Sequence, residues 1–153
     1  MAPKPDRPEI PADYGVPTSN EGMLDWVWAV ERIKAARNYW ISTTRPDGRP
    51  HVTPVWGVWV DETFHFGGSA EVRRSKNIAG NPHIAMHLES GDEVVIVEGL
   101  AKLIEDAGMM RRLDAAYLAK YDIEHGPPIW ALRPRVAFAW AEYPVTVTRF
   151  HFD

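Results

Sequence analysis

The sequence predicts a mainly β fold, an antiparallel β-barrel with peripheral helices. Three observations predict it. Apolar residues alternate with period two in short runs, most cleanly where Ile84, Met86 and Leu88 interleave with His83, Ala85, His87 and Glu89. Those runs are rich in β-branched and aromatic residues, and turn signals such as Arg45-Pro46-Asp47-Gly48-Arg49 separate them. Seven or eight such strands, mostly joined by tight turns, accompany three stretches of helical spacing.

At 153 residues the chain is one domain's worth, able to bury roughly 70% of the surface its unfolded form exposes. With no cysteine, it excludes disulfides, thiolate zinc sites, iron–sulfur ligation and a thiol nucleophile. Lys and Arg number 17 against 21 Asp and Glu, a net charge of −4 that argues against nucleic acid or an anionic membrane as partner. No apolar run approaches the ~18 residues of a membrane span, and the N-terminus has no signal-peptide core, so a cytoplasmic location is expected. Seven tryptophans are more than one small core easily hides.

Residues 1–20 form a proline-rich arm, extended and with the composition of a disordered segment, ahead of the domain expected over 21–153. Thr18-Ser19-Asn20-Glu21 has capping-box spacing, and Met23, Trp26, Val27, Val30 and Ile33 recur at helical intervals, predicting a helix from about Gly22 to Arg37. Strands follow over Tyr39–Thr44, His51–Val60 and Thr63–Gly67, with Pro54 at an edge or a ligand-facing gap because it cannot donate to a ladder. In the second of these, Val52, Pro54, Trp56, Val58 and Val60 share one face. A helix from Ala70 to about Ala79 stops at Gly80-Asn81-Pro82, and strands cover 83–89 and Val94–Ile104, with a bulge at Gly99. Asp106 caps a helix reaching Lys120. Ile129–Leu132, Arg135–Ala141 and Val145–Phe152 are the last strands, broken at Pro134 and Pro144.

The segment from Gly67 to Asn77 carries the most chemistry. Glycines at a strand–helix junction let backbone amides approach a ligand, and the helix N-terminus adds partial positive charge. Arg73 and Arg74 suit a bidentate phosphate grip, with Lys76 as a nearby point charge. A solvated basic helix face is the plain alternative. His83 and His87 sit four apart on a strand, ~13 Å from each other and too far to share a metal ion, so no metal site is expected. No serine lies in a nucleophile elbow. Glu98, inside an apolar strand, calls for an ion partner such as Arg133 or Arg135.

The run Asn38-Tyr39-Trp40-Ile41-Ser42-Thr43-Thr44-Arg45-Pro46-Asp47-Gly48-Arg49-Pro50-His51-Val52-Thr53-Pro54-Val55-Trp56-Gly57-Val58-Trp59 resembles the second and third strand region of the pyridoxamine 5'-phosphate oxidase-like family. Phe64-His65-Phe66, Arg73-Arg74, Asn77, Asn81-Pro82, Val97-Glu98-Gly99 and Arg133 to Trp140 follow in family order, so the likeness spans about Leu24 to Phe152. The resemblance implies a split β-barrel, homodimeric, binding FMN or a deazaflavin (coenzyme F-420) in a groove between subunits. It implies a ring edge against Thr53, Pro54, Val55 and Trp56, and a phosphate at Arg73 and Arg74 near Lys76. Trp140 would approach from the partner subunit.

Departures narrow the reading. Members that oxidise pyridoxamine phosphate have a basic residue at each end of the second strand motif, where this chain has His51 and Trp56. Val72 replaces the usual serine and Arg74 the usual lysine, while Arg149-x-His151 resembles the substrate-phosphate motif only at altered spacing. The Tyr-Trp and Pro-Val-Trp-Gly-Val-Trp signatures resemble the subgroup that includes deazaflavin-dependent reductases. The resemblance thus implies an oxidoreductase moving a hydride between cofactor and a small planar unsaturated substrate. A non-catalytic flavin, deazaflavin or heme carrier or sensor is the alternative, and His51 or Tyr143 would be the proton donor that separates the two.

Overall fold

The computed structural model describes residues 2–153. In chain order the elements are β1 (Lys4–Asp6), α1 (Trp26–Ala35), β2 (Tyr39–Thr44), β3 (Pro50–Val55), β4 (Gly57–Val60) and β5 (Thr63–Gly67). Then come α2 (Arg73–Gly80), β6 (His83–His87), β7 (Val94–Leu103), α3 (Ala107–Tyr121), β8 (Ile129–Trp140) and β9 (Thr148–His151). The strands are antiparallel in the order β1-β9-β8-β7-β6-β2-β3, with a branch in which β8 also holds β5 and β5 holds β4.

The branch arises because β8 changes partner along its length. Val136–Ala139 pair with β9, whereas Ile129–Ala131 pair with β5. Between these stretches the β7–β8 register slips at Glu98/Gly99, opposite Pro134, and a Cβ on Gly99 would sit 2.0 Å from the Arg133 carbonyl oxygen. A bulge at a residue with no side chain, facing one with no N–H, lets both long strands curl. The curled sheet encloses Ile33, Tyr39, Ile41, Phe64, Phe66, Met86, Val97, Ala137 and Phe150. Because, among the described residues, β3 pairs with β2 alone and β4 with β5 alone, the wall is unsealed between them. The fold is a split barrel. A second apolar cluster of Val58, Leu113, Tyr117, Tyr121 and Ile129 packs α3 against β4 and β8.

Several boundaries differ from those the sequence predicts. The run His51–Val60 is two strands, broken at Trp56. Residues 129–140 are one strand, because Pro134 sits at the bulge, where no ladder donor is required. The last strand starts at Thr148, since Thr146 Oγ1 accepts from the Ala141 and Glu142 amides and folds the preceding residues into a turn. Glu98 points to solvent, with no ion pair among the described residues, because strand alternation turns Val95, Val97 and Ala101 inward and Glu98 outward. The second helix opens at Arg73 rather than Ala70.

The arm is ordered by pairing. Lys4–Asp6 lies against His151–Arg149 of β9, and the Asp6 carboxylate takes two hydrogen bonds from Arg149, at 2.8 and 2.7 Å. Arg149 holds the Asp6 carboxyl below the usual carboxylate range, with His151 adding to the effect. Arg7 donates to the carbonyls of Ser19, Glu21, Val145 and Val147. Two of those acceptors lie in the expected capping box, so that segment is held as a turn and α1 starts later, at Trp26. Arg7→Ala should therefore loosen the arm by about 1 kcal/mol and speed chymotryptic cleavage at exposed Tyr14 about fivefold, measured by mass spectrometry. An unchanged cleavage rate would contradict this role for Arg7.

Candidate functional site

The site begins where β3 gives way to β4. Tyr117, Lys120 and Tyr121 sit on one face of α3 by their spacing and reach this break together. Tyr117 Oη donates to the Trp56 carbonyl at 3.2 Å. Tyr121 Oη accepts from the Gly57 amide at 3.0 Å and lies 2.7 Å from the Arg37 carbonyl, to which it donates its one proton. Lys120 Nζ donates to the Gly57 carbonyl at 3.0 Å and to Tyr39 Oη at 2.7 Å. Backbone groups that would otherwise seek ladder partners are thus satisfied by three side chains. Gly57 must be glycine, because a Cβ there would meet the Phe64 ring at 2.3 Å and the His65 carbonyl oxygen at 2.9 Å.

This clamp turns Trp56 outward. Its ring stacks on Tyr121 with centroids 4.6 Å apart and planes 6° apart, the Arg37 guanidinium 5.4 Å from its centroid, and it remains 37% exposed. The alternation runs on through the break: Val52, Pro54 and Trp56 are exposed on one face, and Val58 and Val60 on that same face pack into the α3 cluster, while Val55 and Trp59 pack on the barrel core. Burial, reinforced by the Arg37 charge, pushes the Lys120 amine down to about 8, and burial raises the Tyr39 and Tyr117 phenols.

Arg74 forms the other end of the site. In the first turn of α2, its Nη2 reaches back to the Gly67 carbonyl at 2.9 Å. Its Nε is buried with no partner, and it has no carboxylate partner among the described residues. Burial lowers its pKa, the mark of a cation short of solvent. Arg45, Arg73 and Arg74 also depress His51, after desolvation, and so crowd positive charge on this side of β3. Between Trp56 and Arg74 lies a groove of about 370 Å³ lined by Asn38, Pro54, Val55, Trp56, Gly67, Arg74 and His125.

Of the residues singled out in the sequence, Pro54, Val55, Trp56, Gly67 and Arg74 meet in this groove. Thr53 precedes them on β3, and Arg73 is exposed at the start of α2. Lys76 turns to Glu71, 3.6 Å away on the surface. Trp140 ends β8, edge-on to Tyr143 at 5.9 Å, and does not line the groove of its own chain. Sequence reasoning missed Arg37, Asn38, Lys120, Tyr121 and His125. The spacing of Tyr117, Lys120 and Tyr121 was a visible signal; Asn38 and His125 lie on connections that carry no periodicity. Among the described residues no three His, Cys, Asp or Glu side chains converge on a metal position.

A half-buried guanidinium with no carboxylate partner among the described residues at one end of the groove, and a flat exposed aromatic at the other, fit a planar ligand carrying an anionic group. The sequence profile of the pyridoxamine 5'-phosphate oxidase family matches residues 29–143. The chain belongs to that family. Solved structures of similar fold include a conserved hypothetical protein from Mycobacterium tuberculosis, 18% identical with a TM-score of 0.70, covering 80% of this chain and 88% of that one. An F-420 reductase is 25% identical with a TM-score of 0.53, covering 70% and 94% respectively. An FAD binding protein from Mycobacterium smegmatis is 18% identical with a TM-score of 0.57, covering 85% and 98%. No curated protein matches the chain.

The clamp has a pH signature. A lysine depressed from its usual value holds fewer protons folded than unfolded, so stability should rise with pH from about 8, until the raised tyrosines reverse the trend near 10. Urea midpoints measured at about pH 8 and about pH 9.5 should increase for the native chain and stay flatter for Lys120→Met. Equal increases in both proteins would remove Lys120 as the source.

Proposed function

We propose that the chain is a flavin- or deazaflavin-dependent oxidoreductase that moves a hydride between FMN or a deazaflavin (coenzyme F-420) and a small planar unsaturated substrate. The observation that carries this reading is the half-buried Arg74 guanidinium, without a carboxylate partner among the described residues, at one end of a groove walled by Trp56. The hydride chemistry belongs to the cofactor ring when bound. Arg74 holds the cofactor's phosphate, and Arg73 and the first turn of α2 add positive charge there. The backbone of Thr53, Pro54 and Val55, on a strand paired on one side only, borders the ring, and Trp56 shields it from water. No side chain is required as acid or base for binding, and Lys76, held by Glu71, contributes only long-range charge.

The reading includes a homodimer. Phe138, Ile96, His87, Trp40 and Pro54 stand in register across five neighbouring strands and form a half-exposed row on the outer face. That row ends at the groove through Pro54. A second copy covering it would shield the surplus aromatic surface, and we assign Trp140 to the neighbouring subunit's cofactor.

Arg74→Ala should weaken FMN or deazaflavin binding by about 10-fold to 100-fold in a fluorescence titration, the effect of removing a charge-assisted hydrogen bond to an anion. If the native chain binds neither cofactor, the reading fails; binding without turnover of any enone or quinone would leave a carrier. Ile96→Lys, which buries a charge in the proposed interface, should shift light-scattering mass from dimer to monomer. A native chain that is already monomeric would overturn the homodimer.

A further inference from the structure

His125 lies on the connection between α3 and β8, and the chemistry proposed above leaves it unused. Its position is nonetheless strictly held. Nδ1 is 2.8 Å from the Gly126 carbonyl oxygen, and a carbonyl only accepts, so Nδ1 carries the proton of that bond. The Gly126 amide in turn donates to Asp114 Oδ1 at 2.9 Å, which ties the loop to α3. The imidazole packs on Tyr117, with ring centroids 4.8 Å apart. Its Cε1 lies over Gly67 so closely that a Cβ there would be 2.3 Å away.

With Nδ1 committed as donor, Nε2 is the acceptor of the neutral ring. Among the described residues it has no hydrogen-bond partner, and it is not shut away from solvent. Gly67 is therefore flanked on both sides by groups aimed at one ligand: its carbonyl fixes Arg74, and its open α-carbon seats His125. His125 lines the same groove as Arg74 and Trp56, so a molecule anchored by Arg74 and lying toward Trp56 shares that groove with the imidazole.

We infer that His125 is a specificity-determining residue whose Nε2 accepts a hydrogen bond from a ring N–H of the bound ligand. The inference rests on the flavin or deazaflavin reading above. In an oxidised flavin the ring carries one such donor, the imide N–H, so the contact selects ligands in which that nitrogen is unsubstituted. The role is distinct from that of Arg74, which recognises the anionic group whatever ring it carries.

The test compares FMN with N3-methyl-FMN by fluorescence titration of the full chain. The native protein should prefer FMN by about fivefold or more, the effect of one neutral hydrogen bond. His125→Phe, which keeps a flat ring over Gly67 but offers no acceptor, should abolish the preference; His125→Gln should restore part of it. Gly67→Ala, whose methyl group would displace the imidazole without altering it, should reproduce the Phe result. Inorganic phosphate, used as a competitor, should bind the native and His125→Phe proteins equally. A preference that persists in His125→Phe, or that is missing from the native chain, overturns the role of His125 while the cofactor reading stands. A native chain that binds no flavin or deazaflavin overturns both.

Discussion

Backbone groups at a strand break must find partners, and the site is organised by the way this chain supplies them. Where β3 passes to β4, the peptide groups of Trp56 and Gly57 bond to Tyr117, Lys120 and Tyr121 instead of to a neighbouring strand. Without those side chains, burying the break would leave donors and acceptors unsatisfied, at roughly 1–3 kcal/mol each. With them, β4 turns to its own partner β5, and the barrel stays open on that side. The groove is a consequence of the break. The same helix that clamps it also holds the His125 loop through Asp114.

Electrostatics gives the groove its direction. The chain is acidic overall, and several of its cations, among them Arg32, Arg49, Lys76, Arg112 and Arg149, are paired with carboxylates. Arg74 is left with a single carbonyl. Surface pairs of that kind contribute little to stability, whereas a half-buried cation without a counterion favours any anion that reaches it. Net charge therefore describes the molecule's exterior and says little about what its groove selects.

Strand content, the turn at Arg45–Arg49 and the Gly99 bulge were legible in the sequence, because each depends on residues adjacent in the chain; the second helix was too, though it starts three residues later than the spacing suggests. The break at Trp56 was not. Val52 to Val60 alternates without interruption in sequence and in structure, and only the distant tyrosines and lysine of α3, bonded to the peptide groups of Trp56 and Gly57, mark where one strand ends and the next begins. The arm misled for a similar reason. Its prolines suggest a segment without structure, yet Asp6 and Arg7 find partners more than one hundred residues away. Lys76 reads as part of a phosphate grip from spacing alone, but Glu71, in the turn just ahead of the helix, engages it. His125 stands among Gly126, Pro127 and Pro128, where no periodic pattern marks a side chain for function.

The central claim is that one ligand spans the distance from Arg74 to Trp56. A crystal structure of the chain grown with FMN or the deazaflavin coenzyme tests it directly. The phosphate should lie within hydrogen-bond distance of the Arg74 guanidinium, with the ring along Thr53–Trp56. A cofactor bound elsewhere, such as the hollow of about 380 Å³ lined by Ser42, His83, Ala85 and Arg135, would contradict it.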